Sequence, residues 1–138
     1  MGMKPWVRYL IALLVALHGF VYLNAARGVL PIFEGWKGSS WLLGNAVTCE
    51  TLKRLTLALW ALAGVGIVAT GIGFAFSAQA VWRPLAIVAS AVAILSFFVF
   101  WDGQIQRLVA QGMIGLVISL VILLSAIAFP QAFGAAAR

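Results

Sequence analysis

LAIVASAVAILSFFVF, residues 85–100, decides how the rest of the chain is read. Sixteen residues pass without a charge, and apolar side chains do not alternate with polar ones as they do along a strand of a membrane barrel. Lipid offers no partner to a backbone N–H or C=O, so a segment of this kind crosses a bilayer as a helix. GLVISLVILLSAIAF, residues 115–129, has the same character.

The pattern extends over the whole chain. Positions 9–26, 55–82, 84–101 and 108–137 carry no charged residue. About 20 apolar residues at about 1.5 Å each cover a hydrocarbon layer of about 30 Å. Four such runs predict four spans, at about 5–25, 52–76, 81–101 and 108–129. The 138 residues are 64% hydrophobic and 9% charged, against about 25% charged in a soluble domain. Too little sequence remains for a separate soluble domain.

Lys4 and Arg8 ahead of the first apolar core resemble the start of a signal peptide. The core runs too long, and LNAAR is a poor cleavage site, so the expectation is a first span. Pro5 suits the first helical turn. Thr48 or Thr51 is a candidate cap for the second span. SAQA (77–80) and DGQIQR (102–107) are short turns, Pro84 falls in the first turn of the third span, and Pro130 stops the fourth. Turns this short force the last three spans into an up-and-down order. The predicted fold is an all-α, single-domain, integral membrane four-helix bundle with one long apolar loop between spans one and two.

Small residues at four-residue spacing mark packing faces: Gly66 with Thr70, Ala69 with Gly73, Ala86 with Ser90, and Gly115 with Ser119. In lipid such pairs let helix backbones approach, within the monomer or between copies.

The net charge of +6 does not signal nucleic acid. The basic residues stand singly or in pairs at span ends, where they meet lipid headgroups. Lys4, Arg8, Arg83 and Arg138 fall on one side; Arg27, Lys37, Lys53, Arg54 and Arg107 fall on the other. The leading Lys4 and Arg8 favour cytoplasmic N- and C-termini in a prokaryotic inner membrane.

Polar chemistry gathers at the opposite end. Glu34, Glu50 and Asp102 all fall there, with Asn45, Cys49, Gln104, Gln106 and four of the six tryptophans (Trp36, Trp41, Trp60 and Trp101). His18, the single histidine, sits about 10 Å inside that end, and Tyr22 lies one turn nearer the surface on the same helical face. A polar ring at this depth faces the bundle interior. It pins two helices together by hydrogen bonds, serves a ligand or proton, or, third, ligates a metal or haem, and Asp102 is a possible partner. The loop, with Trp36 and Trp41, either lies in the headgroup layer or folds over the bundle as a lid. His18, Tyr22, Trp41 and Asp102 are therefore the candidate ligand-binding residues, with quinone or lipid as candidate ligands.

No metal site is expected from one histidine, one cysteine and three scattered acids. One cysteine forms no internal disulfide, and Cys49 has no neighbouring base to make it a nucleophile. No catalytic residue is assigned. This favours a non-catalytic accessory or assembly subunit that contacts lipid, other membrane subunits or further copies of itself. A quinone- or lipid-binding protein is the alternative, and an oligomeric transporter or channel stands third.

LHGFVYL, WKGSSWLLG, LALWALAGVGIVATGIGF, WRPLAIVASAVAILSFFVFW and GLVISLVILL together resemble the small four-span proteins of the DoxX-like group. The resemblance covers most of the chain. It implies the four-span fold and, for some members, association with quinone-linked oxidoreductases. Proteins of that group often carry a second histidine four residues after the first; here that position is Tyr22, which departs from a metal-binding pattern.

Overall fold

Pro5 opens α1 (Pro5–Ala26), where its missing N–H leaves no helical bond unmade. The computed structural model describes residues 3–28, 30, 32–34, 36–44 and 46–128. Asn45, Phe129, Pro130 and the tail that follows lie outside the described residues. Among those described, the other helices are α2 (Cys49–Ala75), α3 (Gln79–Phe100) and α4 (Met113–Ala128), with a short 3-10 turn at Ile105–Arg107. The protein is all-helical, and α1, α2 and α3 are long and apolar enough to cross a membrane.

The helix ends follow from local chemistry. Thr48 caps α2: its Oγ1 accepts from the Thr51 N–H at 3.3 Å, so the helix begins three residues earlier than expected. Glu50 sits in the first turn and pairs with exposed Arg54. The α2–α3 turn is tight: Ser77 takes φ +57° and α3 resumes at Gln79. Pro84 consequently lies in the second helical turn, not the first. At this end the Arg8 guanidinium donates to the Ser77 hydroxyl, and Arg83 Nε donates to the Ala126 carbonyl at 3.1 Å.

The fourth apolar stretch departs most from expectation. Residues 108–112 are turn, not helix, and α4 starts at Met113. Gly112 has φ +104°, a conformation that ends helical propagation and that side chains resist. Hydropathy alone does not register this break. It delays the start of α4, which among the described residues runs 16 residues, below the length of the other three helices.

Packing runs in sequence, α1 on α2, α2 on α3 and α3 on α4. Glycines let the backbones meet. A Cβ on Gly64 would stand 2.9 Å from the Gly19 carbonyl, and one on Gly71 would stand 2.7 Å from the Ala12 carbonyl. On the other face of α2, a Cβ on Gly66 would reach within 2.6 Å of the Ala89 Cβ. The remaining side, between α1 and α4, is looser. Large apolar side chains such as Leu13, Leu17, Leu62, Val65, Val88 and Val121 face outward.

Candidate functional site

Residues 18, 22 and 25 of α1 recur at helical spacing and are all buried. They form one wall of a cavity of about 820 Å³ between α1, α3 and the segment that leads into α4. This volume lies within the range of small-molecule sites, about 300–1,000 Å³. Its lining is mainly apolar, with Val21, Ala25, Leu30, Ile32, Trp60, Ala93, Phe97 and Ile118 among the contributors. Val109, Ala110 and Gly112 also line it, so the non-helical segment before α4 supplies one of the cavity's walls. Val21, Ile114 and Ile118 are both cavity-lining and exposed, so the cavity opens sideways between α1 and α4.

The deep end is polar. His18, 7% exposed, places Nε2 at 3.1 Å from the Ser119 Oγ of α4. The Tyr22 hydroxyl lies 3.3 Å from the same oxygen, and the two rings meet edge to face at 5.2 Å. A hydroxyl carries one proton and two acceptor positions, so Ser119 serves both partners, with the direction of the bonds set by the imidazole tautomer. Gly115, one turn before Ser119, leaves room for the phenol: a Cβ there would stand 3.2 Å from Tyr22 Oη.

The described residues between α1 and α2 fold back over the other end of the cavity, beside the α3–α4 turn. Phe33 packs edge to face on Phe100 at 4.9 Å and lies 5.7 Å from Trp60; Trp36 lies 5.2 Å from Phe100. Leu30, Ile32 and Glu34 line the cavity from above. Arg107 donates to the Glu34 carbonyl at 2.8 Å, and the Trp41 N–H donates to the Trp101 carbonyl at 2.7 Å. These bonds tie the roof to the turn between α3 and α4.

Of the four residues singled out from sequence, His18 and Tyr22 stand together in the cavity. Trp41 does not: it is 58% exposed and pairs with Trp101 at 5.6 Å, outside the lining. Asp102 also lies outside the lining, and its hydrogen bonds do not run to His18. Its carboxylate accepts from the Gln104 N–H at 3.1 Å and from Gln104 Nε2 at 2.9 Å. Partial burial pushes the Asp102 carboxyl up. The Gln111 amide and the donors of Gln104 and Lys37 outweigh that and hold it below its ordinary value.

Gln111 has no counterpart among the sequence expectations. It lines the cavity at 3% exposure, and neither amide atom meets a hydrogen-bond partner among the described residues. It approaches Asp102 closely enough to stabilise the carboxylate without reaching hydrogen-bond geometry. The signal in the sequence is slight: a lone amide between the polar DGQIQR turn and an apolar run, followed at once by glycine. Ser119 stood out there only as a small packing residue. Among the described residues no group of three or more His, Cys, Asp or Glu could hold a metal. Cys49 is exposed and free.

No protein-family model matches the chain, and no curated protein and no solved structure matches it.

Proposed function

We propose that this chain is an integral membrane protein that binds an apolar amphiphile, a quinone or a lipid, in the cavity between α1 and α4. In this reading all four helices cross the bilayer, with α4, about 24 Å long, completed by the turn residues ahead of it. The Arg8 and Arg83 end faces the cytoplasm of a prokaryotic cell, in keeping with Lys4 and Arg8 ahead of the first span. The DoxX-like resemblance and its quinone-linked chemistry belong to the same reading.

One observation carries the proposal: a large, mainly apolar cavity with His18 and Tyr22, both held by Ser119 behind them, at its deep end, open sideways past Val21 and Ile118. Apolar walls take a hydrocarbon tail or ring, and a few placed polar groups orient the head. The sideways opening lets a lipophilic ligand enter from the bilayer without crossing water. From sequence alone the accessory-subunit role stands first; the cavity moves the preference to ligand binding, and such a binder can serve within a larger complex.

The test is extraction of the protein from its membrane in native lipid, followed by solvent extraction and mass spectrometry. Wild type is expected to retain one amphiphile enriched over bulk lipid, and Gly115→Leu, which places a side chain into the cavity, is expected to lose it. Identical lipid profiles for the two proteins would sink the proposal.

A further inference from the structure

A buried amide without partners is a standing penalty for the folded chain, because its donors and acceptor have given up water and gained nothing. Gln111 is close to that position: it is 3% exposed and lines the cavity, its Oε1 meets no donor among the described residues, and its amide nitrogen has only the Asp102 carboxylate nearby, short of hydrogen-bond geometry. Replacement by methionine would fill the same volume without the penalty, so packing alone does not account for a glutamine here. The nearby Asp102 carboxylate can only accept, so it draws the amide nitrogen toward itself. A primary amide has two N–H groups. With the outer one turned to Asp102, the other stays beside Oε1, and together they form an edge with one donor and one acceptor.

We infer that Gln111 is a head-group reader, and that the ligand carries a neutral, adjacent donor–acceptor pair: a carboxamide or a protonated carboxylic acid on a hydrocarbon chain. The inference rests on the proposed ligand-binding cavity and narrows its occupant. A carboxamide or carboxylic acid pairs with the Gln111 edge through two parallel hydrogen bonds. An ester or ketone of the same length offers acceptors only and leaves Oε1 unmet. A carboxylate anion is opposed by both Oε1 and the Asp102 charge. Asp102 serves here as a positioning residue, since it lies outside the cavity lining and acts through the amide.

The experiment displaces a fluorescent lipophilic probe from full-length protein in nanodiscs, using dodecanamide, dodecanoic acid and methyl dodecanoate. Wild type is expected to bind the amide at least about tenfold more tightly than the ester after correction for bilayer partition. Gln111→Met is expected to bring that ratio to about one. Dodecanoic acid is expected to match the amide only while protonated and to weaken as pH rises, which separates an acid source from an amide source. Equal binding of amide and ester by wild type overturns the inference and leaves the cavity reading intact. Absence of binding by all three overturns the cavity reading as well. Thermal unfolding gives a second readout. An amide that meets the ligand predicts that added dodecanamide raises the melting temperature of wild type and not that of Gln111→Met; equal shifts in the two proteins overturn the inference.

Discussion

His18 of α1 and Ser119 of α4 are joined across the bundle by a 3.1 Å contact between Nε2 and Oγ. With the Tyr22 hydroxyl 3.3 Å from the same oxygen, Ser119 is the polar link between the two helices that flank the cavity opening. Ser119→Ala removes that link and leaves two buried polar groups unmet. The expected loss is about 1–2 kcal/mol, at the upper end for hydrogen bonds between membrane helices. Unfolding in mixed micelles checks it, and a change below about 0.3 kcal/mol would show that the link carries no weight.

A second prediction concerns the close α1–α2 contact. Gly71→Ala puts a Cβ about where the Ala12 carbonyl and Ala16 nitrogen already stand, 2.7 and 2.9 Å away. Backbone atoms cannot rotate aside, so the helices must separate. The expected destabilisation is about 1–3 kcal/mol. Gly112→Ala is expected to destabilise for a different reason, because φ +104° strains any side-chain-bearing residue although no atom lies within 4 Å. Parallel melting curves for the two variants check both.

These two glycines show what was legible in the sequence. Uncharged runs can be counted directly, so α1, α2 and α3, which are long and apolar enough to cross a membrane, lie within a few residues of their predicted bounds. The Gly112 break is not legible in this way, since a glycine inside an apolar run is ordinary in a membrane helix and only its backbone conformation makes it a terminus. The same limit applies to the site. His18 and Tyr22 fall on one face by helical spacing alone, so their pairing is readable. Gln111 joins the cavity lining because α4 starts late, and Ser119 meets both rings from behind the lining; Trp41 and Asp102 stand outside the lining, with partners in their own corner. Spacing along one helix can be counted, whereas register between helices comes from packing.

Asp102 gives a pH dependence with a definite sign. Its carboxyl is held below the ordinary value of 3.8, so the folded state binds that proton less readily than the unfolded state. The contribution is fully present above 3.8 and is lost as pH falls through the lower folded value. The roof and the α3–α4 turn, tied together at Lys37, Gln104 and Gln111, should loosen below that point. Hydrogen exchange at residues 101–107 as a function of pH checks this, with Asp102→Asn expected to flatten the profile. An unchanged profile in the variant would assign the acid sensitivity elsewhere.

Ligand capture depends on open space at the cavity's deep end. Gly115→Leu adds bulk beside Tyr22 Oη and should weaken retention of a lipophilic ligand at least about tenfold while the helices stay formed. The check is binding together with circular dichroism on the same sample. Unchanged binding with unchanged helix content contradicts the assignment of the deep end as part of the site.

The most direct measurement is photoaffinity labelling in native-lipid discs with a diazirine-bearing lipophilic probe, followed by peptide mapping. The cavity account predicts saturable labelling concentrated on residues 18–25 of α1 and 109–118 around the start of α4, reduced in Gly115→Leu. Labelling spread over the outward faces at Leu13, Leu62 and Val88, not saturable and unaffected by that substitution, would contradict it.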